Sequence, residues 1–107
     1  MVQQHTVLGY QLLHPMKINP LITATILSHH ENYDGSGYPE GLKGDRIPLF
    51  ARIIRITDFY DALTSHRSYR TKAIYTSAEA LDVLQKNHNC FDPFLFSKFV
   101  EMIEEKL

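Results

Sequence analysis

The groups in this sequence best placed to do chemistry are two adjacent imidazoles, His29 and His30. Neighbouring residues on a helix point ~100° apart, so such a pair rarely serves one core contact. At a helix end both rings can turn toward a metal cluster. This pair stands where a helical pattern gives way to a glycine-rich stretch, HHENYDGSGYPEGLKGDRIP, from His29 to Pro48. One core and one surface histidine is the plainer alternative. Asp58 and Asp61 lie three apart, on one helix face, among Ile54, Ile56, Phe59, Tyr60 and Leu63. A carboxylate buried there is costly unless it is paired or metal-bound. We therefore expect Asp58 to ligate a metal and Asp61 to serve a local hydrogen bond or structural role. The alternatives are exposure to solvent, or pairing with Arg52 or Arg55. His5, four residues before Gly9, joins the candidates once the other ligands are accepted. Histidine and aspartate without cysteine suit a hard to borderline metal, iron or manganese, with zinc a further choice. A bridged pair of such ions generates hydroxide near neutral pH and clamps a phosphodiester oxygen. Downstream, Arg67, Tyr69, Arg70 and Lys72 make a basic turn. Arginine forks hold phosphate oxygens at two points, although such a turn is equally a solvated loop.

The elements that must position these groups read as helices. Residues 2–14 carry Val7, Leu8, Tyr10, Leu12 and Leu13 at broadly helical spacing, with no capping residue ahead of them. Pro15 ends that segment by disfavouring helix at His14. Asn19-Pro20 opens the next helix, an N-cap followed by proline at the first turn. Four of the five glycines then fall between 35 and 44, bracketed late by Pro39 and Pro48. Linkers are rich in small polar residues. This stretch holds Tyr33, Tyr38, Leu42 and Ile47, so it reads as an ordered loop. Helical spacing returns after Pro48, with a broad apolar face of Ile53, Ile54, Ile56, Phe59, Tyr60 and Leu63. Thr76 or Ser77 caps a fourth helix with Glu79 in its first turn, and Asp92-Pro93 opens a fifth. No strand is convincing. The expectation is an all-α fold of about five helices.

The 107 residues suit one modest domain, and 44% hydrophobic content is ordinary for a core. Eleven basic against 12 acidic residues give a net charge of -1, which argues against a nucleic-acid polymer as partner. A small phosphorylated ligand held by local cations stays open. The single cysteine, Cys90, allows no intrachain disulfide and suits a reducing compartment. No signal peptide and no apolar run of ~18 residues is present, so the chain is expected to be cytoplasmic and away from the membrane.

The blocks HHENYDGSGYPEGLKGDRIP and ARIIRITDFYDALTSHRSYR closely resemble the motifs of HD-GYP domains, over roughly positions 5 to 70. Gly37-Tyr38-Pro39 matches the GYP of the name, and Phe91-Asp92-Pro93 and the last helix resemble the family's C-terminal end. The resemblance implies a helical bundle with an ordered GYP loop, acting as a bacterial metal-dependent phosphodiesterase. Its substrate would be cyclic di-GMP, hydrolysed to pGpG or GMP, and its metals iron or manganese. By the same resemblance, His5, His29, His30 and Asp58 are metal ligands. Gly37 and Tyr38 lie near the dinucleotide, and Asp61, Arg67 and Arg70 contact its phosphates and guanines. Such domains usually follow a receiver or sensor domain, and a diguanylate cyclase is a further candidate partner.

Thr57 stands where the family usually has alanine, and Ser68 where it usually has proline. The larger departure is that the chain contains no His-Asp dipeptide. The family's His-Asp pair lies upstream of the region that His5 matches. The expectation is therefore a partial HD-GYP domain, residues 1–107, without a complete catalytic set and inactive alone. The alternative is a non-catalytic module that binds cyclic di-GMP or a protein partner.

Overall fold

In a computed structural model, residues 4–16, 19–65 and 75–107 are described, with the side chains of Gln4, His5 and Leu13 left out. Five α-helices follow one another: α1 (Gln4–Leu13), α2 (Pro20–Ser28), α3 (Leu49–Thr64), α4 (Ser77–Lys86) and α5 (Pro93–Glu104). Short 3-10 turns occupy His14–Met16, Gly44–Arg46 and His88–Cys90. Among the described residues there is no strand, so the all-α expectation holds.

Helix starts follow local chemistry. Asn19 Oδ1 accepts the Leu21 amide at 2.8 Å, with Pro20 in the first turn. Thr76 and Glu79 make a reciprocal capping box at α4, which begins at Ser77. Asp92 Oδ1 accepts the amides of Phe94 and Leu95 at α5. α1 stops at Leu13, and the chain passes through Pro15 as a 3-10 turn.

The core lies between α3, α4 and α5. Ile56, Leu81, Leu84, Phe91, Phe96, Phe99 and Ile103 are buried together. Each large apolar side chain buried in this way contributes about 1.5–3 kcal/mol. Phe59 meets Phe91 edge-on at 5.5 Å, and Tyr60 meets Phe99 at 5.2 Å. Tyr60 also donates its hydroxyl to Ser77 Oγ at 2.9 Å, tying α3 to the start of α4.

On the other side, α1 and α2 pack against each other and α2 against α3. Gly9 makes the close helix approach possible: a Cβ there would sit 3.0 Å from Ile26 Cγ2. The apolar face expected for α3 divides in two. Ile56 points into the core, whereas Ile53 and Ile54 are 36% and 38% exposed. With Leu21, Ile22, Ile26 and Phe50 they line an open apolar groove of about 350 Å³. Asp58 and Asp61 are exposed. The expectation that they are buried acids in an apolar face is thus corrected. The helix is wide enough to turn its carboxylates outward while Ile56 faces inward.

Candidate functional site

α2 ends at the histidine pair. His29 is its C-terminal cap, and His29 Nδ1 lies 2.8 Å from the carbonyl oxygen of Ile26. A carbonyl only accepts, so Nδ1 carries the proton and the neutral ring has its lone pair on Nε2. This is the tautomer in which a backbone carbonyl orients a metal-binding imidazole. The His29 and His30 rings are 4.3 Å apart and tilted by 43°. His30 in turn stacks on Tyr38, with centroids 5.1 Å apart and planes within 14°. Tyr38 belongs to the turn 37–39, which has a cis Tyr38-Pro39 peptide.

Three features of the loop press this turn onto the histidines. Tyr38 N–H donates to the His30 carbonyl at 3.2 Å. Gly37 lies so close beneath it that a Cβ would come within 2.4 Å of both His30 O and Asn32 N. Glu31, only 1% exposed, accepts the Glu40 amide on Oε2 at 2.8 Å and the Leu42 amide on Oε1 at 2.9 Å. A buried carboxylate is tolerated when such donors replace water.

The loop is also tied to α3 and to the 3-10 turn that precedes α5. Arg55 Nε donates to Asn32 Oδ1 at 2.8 Å, and its Nη1 lies 3.5 Å from His30 Nδ1. Asn32 donates to Ser36 Oγ, and Asp34 Oδ1 accepts from both the amide and the hydroxyl of Ser36. Those Ser36 bonds hold the Asp34 carboxyl below the usual carboxylate range. Tyr33 N–H donates to Cys90 O at 2.9 Å. Burial pushes the Cys90 thiol up, partly opposed by the Arg55 charge. Arg52 donates to Ile47 O at 3.0 Å and to Asp92 Oδ2 at 2.6 Å. Neither arginine serves Asp58 or Asp61, the pairing considered as an alternative. Asp61 accepts a hydrogen bond from the Ser65 hydroxyl four residues on.

The structure thus brings together His29, His30, Gly37 and Tyr38. The His5 side chain, Arg67 and Arg70 lie outside the description, so their expected roles do too. Asp58 stands exposed on α3. Among the described residues no three His, Cys, Asp or Glu side chains form a group able to hold a metal, and the expected ligand His5 has its side chain outside those residues. Sequence reasoning missed Glu31, Asn32 and Arg55. Glu31 left one signal, an acid joined directly to the histidine pair ahead of a glycine-rich loop. A cleft of about 780 Å³ borders the far side of the loop, lined by residues such as Tyr10, His14, Thr23, Leu42 and Arg46. His29 and His30 are not in its lining. No helix is long and apolar enough to cross a membrane among the described residues.

Residues 1–95 match the family model described as HD domain. The chain belongs to the HD domain family. It is also similar to proteins named as cyclic dinucleotide phosphodiesterases. One is a probable cyclic di-GMP phosphodiesterase of Vibrio cholerae, 40% identical over 113 residues, covering 98% of this chain and 25% of the relative. Another is the cyclic di-GMP phosphodiesterase response regulator RpfG of Xanthomonas campestris, 41% identical over 97 residues, covering 86% and 25%. Among solved structures, a cyclic GMP-AMP specific phosphodiesterase of V. cholerae superposes with a TM-score of 0.75 at 26% identity, covering 96% of this chain and 23% of that one. This HD domain chain spans about a quarter of the length of the curated relatives it matches.

Proposed function

We propose that this HD domain chain supplies the GYP-loop side of a metal-dependent phosphodiesterase that hydrolyses cyclic di-GMP to pGpG or GMP. The observation that carries the reading is the Tyr38 ring stacked on His30 beside His29. It supports the reading because the resemblance assigns that turn to the substrate and that histidine pair to the metal. The relatives' names supply the substrate class. Others are named as specific for 3′3′-cGAMP, so a 3′3′-linked dinucleotide carrying adenine belongs in any assay.

In this reading His5, His29, His30 and Asp58 are this chain's donors to iron or manganese. The His29 tautomer and the thiolate-free donor set support the assignment. Gly37, Tyr38, Asp61, Arg67 and Arg70 face the dinucleotide. Residues 1–107 form a partial HD-GYP domain, since they contain no His-Asp pair. The setting is cytoplasmic second-messenger signalling. A receiver or sensor domain is the expected companion, in line with a relative named as a response regulator, and a diguanylate cyclase is a second candidate.

The absence of that pair favours one second reading, a module that binds cyclic di-GMP or a partner without turning it over. The test is metal analysis and nucleotide turnover on this chain, alone and fused to an upstream segment bearing a His-Asp pair. Expected are negligible hydrolysis by the chain alone, hydrolysis by the fusion, and less bound metal in His30→Ala. Robust turnover by the chain alone would sink the partial-domain claim. A metal-loaded fusion that binds but cleaves neither dinucleotide would favour the second reading.

A further inference from the structure

We propose that Glu31 is a positioning residue: by clamping the backbone just beyond Tyr38-Pro39, it holds the Tyr38 ring against the His30 imidazole. The carboxylate begins one residue after His30, and its two oxygens take the amides of Glu40 and Leu42 at 2.8 and 2.9 Å. Those amides lie immediately beyond the turn. With Tyr38 N–H bound to His30 O, the turn is fixed at both ends to consecutive residues, His30 and Glu31. Gly37 lies flat against the same backbone, leaving no room for a side chain. The turn therefore has little freedom to slide, and the ring it carries meets His30 at 5.1 Å, nearly parallel.

Only a carboxylate fits this place. Two amide donors converge on it from different residues, and each needs an acceptor. A carboxamide offers one acceptor and turns an NH₂ toward the other amide, leaving a donor facing a donor at a buried position. Aspartate keeps the charge but is one methylene short of reaching both amides.

The meaning of His30 and Tyr38 as site residues rests on the phosphodiesterase reading, whereas the clamp itself is read without it. In NMR spectra of the 107-residue chain, the His30 ring protons carry a ring-current shift from Tyr38, and Tyr38→Leu defines its size. Glu31→Gln should move those protons most of the way to the Tyr38→Leu positions, with helical circular dichroism retained. Glu31→Asp should do so in part. A folded Glu31→Gln chain with unmoved His30 ring protons would overturn the proposal. Should Glu31→Gln fail to fold, hydrogen exchange on the unaltered chain decides. The Glu40 and Leu42 amides should be protected like those inside α3, and exchange at the rate of exposed loop amides would overturn the clamp. None of these readouts depends on catalysis, so a failed activity assay leaves them standing.

Discussion

Gly37→Ala and Gly44→Ala separate two reasons for which a loop keeps a glycine. Gly44 has φ +60°, closed to most side chains, but nothing within 4 Å of where its Cβ would stand. Its alanine variant therefore meets only the left-handed backbone penalty, about 1–2 kcal/mol. Gly37 is the reverse case. Its obstacle is crowding: an added Cβ would lie 2.4 Å from His30 O and Asn32 N and 2.7 Å from Glu31 Cα. All three are backbone atoms, so no side chain can swing aside, and the turn must lift by roughly 1 Å to reach ordinary contact. Overpacking costs about 1–3 kcal/mol, and lifting the turn weakens the Tyr38 N–H to His30 O bond, worth about 1 kcal/mol more. The expected loss is about 2–4 kcal/mol for Gly37→Ala. In urea, with m near 1–3 kcal/mol/M, that corresponds to a midpoint lower by on the order of 1–2 M, against about half as much for Gly44→Ala. Denaturation curves of both variants under one set of conditions test the ranking, and unchanged m values would license it. If Gly44→Ala proved as costly as Gly37→Ala or costlier, the account of the turn as a crowded contact would be wrong.

Three further perturbations probe what surrounds the turn. Arg52→Leu leaves the Asp92 carboxylate, whose side chain is 10% exposed, without its 2.6 Å partner. It should cost about 3–5 kcal/mol by denaturant unfolding, whereas Lys86→Ala, which breaks an exposed pair, should cost under about 0.5 kcal/mol. Equal losses would contradict the burial argument. Cys90, held neutral by burial, should react with iodoacetamide at pH 8 well below the rate of a free model thiol, and a matching rate would count against it. Asp34 has a folded pKa below its unfolded value. Its stabilisation is present above about pH 4 and is lost as pH falls through the folded pKa. Asp34→Asn should flatten the acid limb of stability slightly, slightly because the group is exposed and screened. An unchanged acid limb would remove Asp34 from the loop's pH response.

The helices were legible because their starts are local chemistry. Asn19-Pro20, Thr76 or Ser77 with Glu79, and Asp92-Pro93 each mark a helix start within four residues, and of the two α4 candidates Thr76 is the cap. The loop's order was legible for a similar reason, since Tyr33, Tyr38 and Ile47 are too apolar for a linker. What a single helix buries was not legible. Asp58 and Asp61 share a face with Ile54, yet Ile54 itself is 38% exposed, so only part of the face that looked apolar, Ile56 with Phe59 and Tyr60, is the part that packs. Helical spacing states which residues travel together. Which stripe meets the core depends on α4 and α5, which lie far along the chain.

The site's internal wiring was hidden for a further reason. Arg55 to Asn32 spans 23 residues and Arg52 to Asp92 spans 40, and no spacing rule pairs them. Glu31 to Glu40 and Leu42 spans less, but its donors are backbone amides, which every non-proline residue has, so no side-chain type marks them. This explains why the residues most readily named from the sequence, His29, His30 and Tyr38, are the ones that face one another. Those that hold them there by hydrogen bonds, Glu31 and Arg55, became visible only through distances. A substitution at Glu31 or Arg55 should therefore disturb the stacked rings without altering any group expected to touch metal or nucleotide.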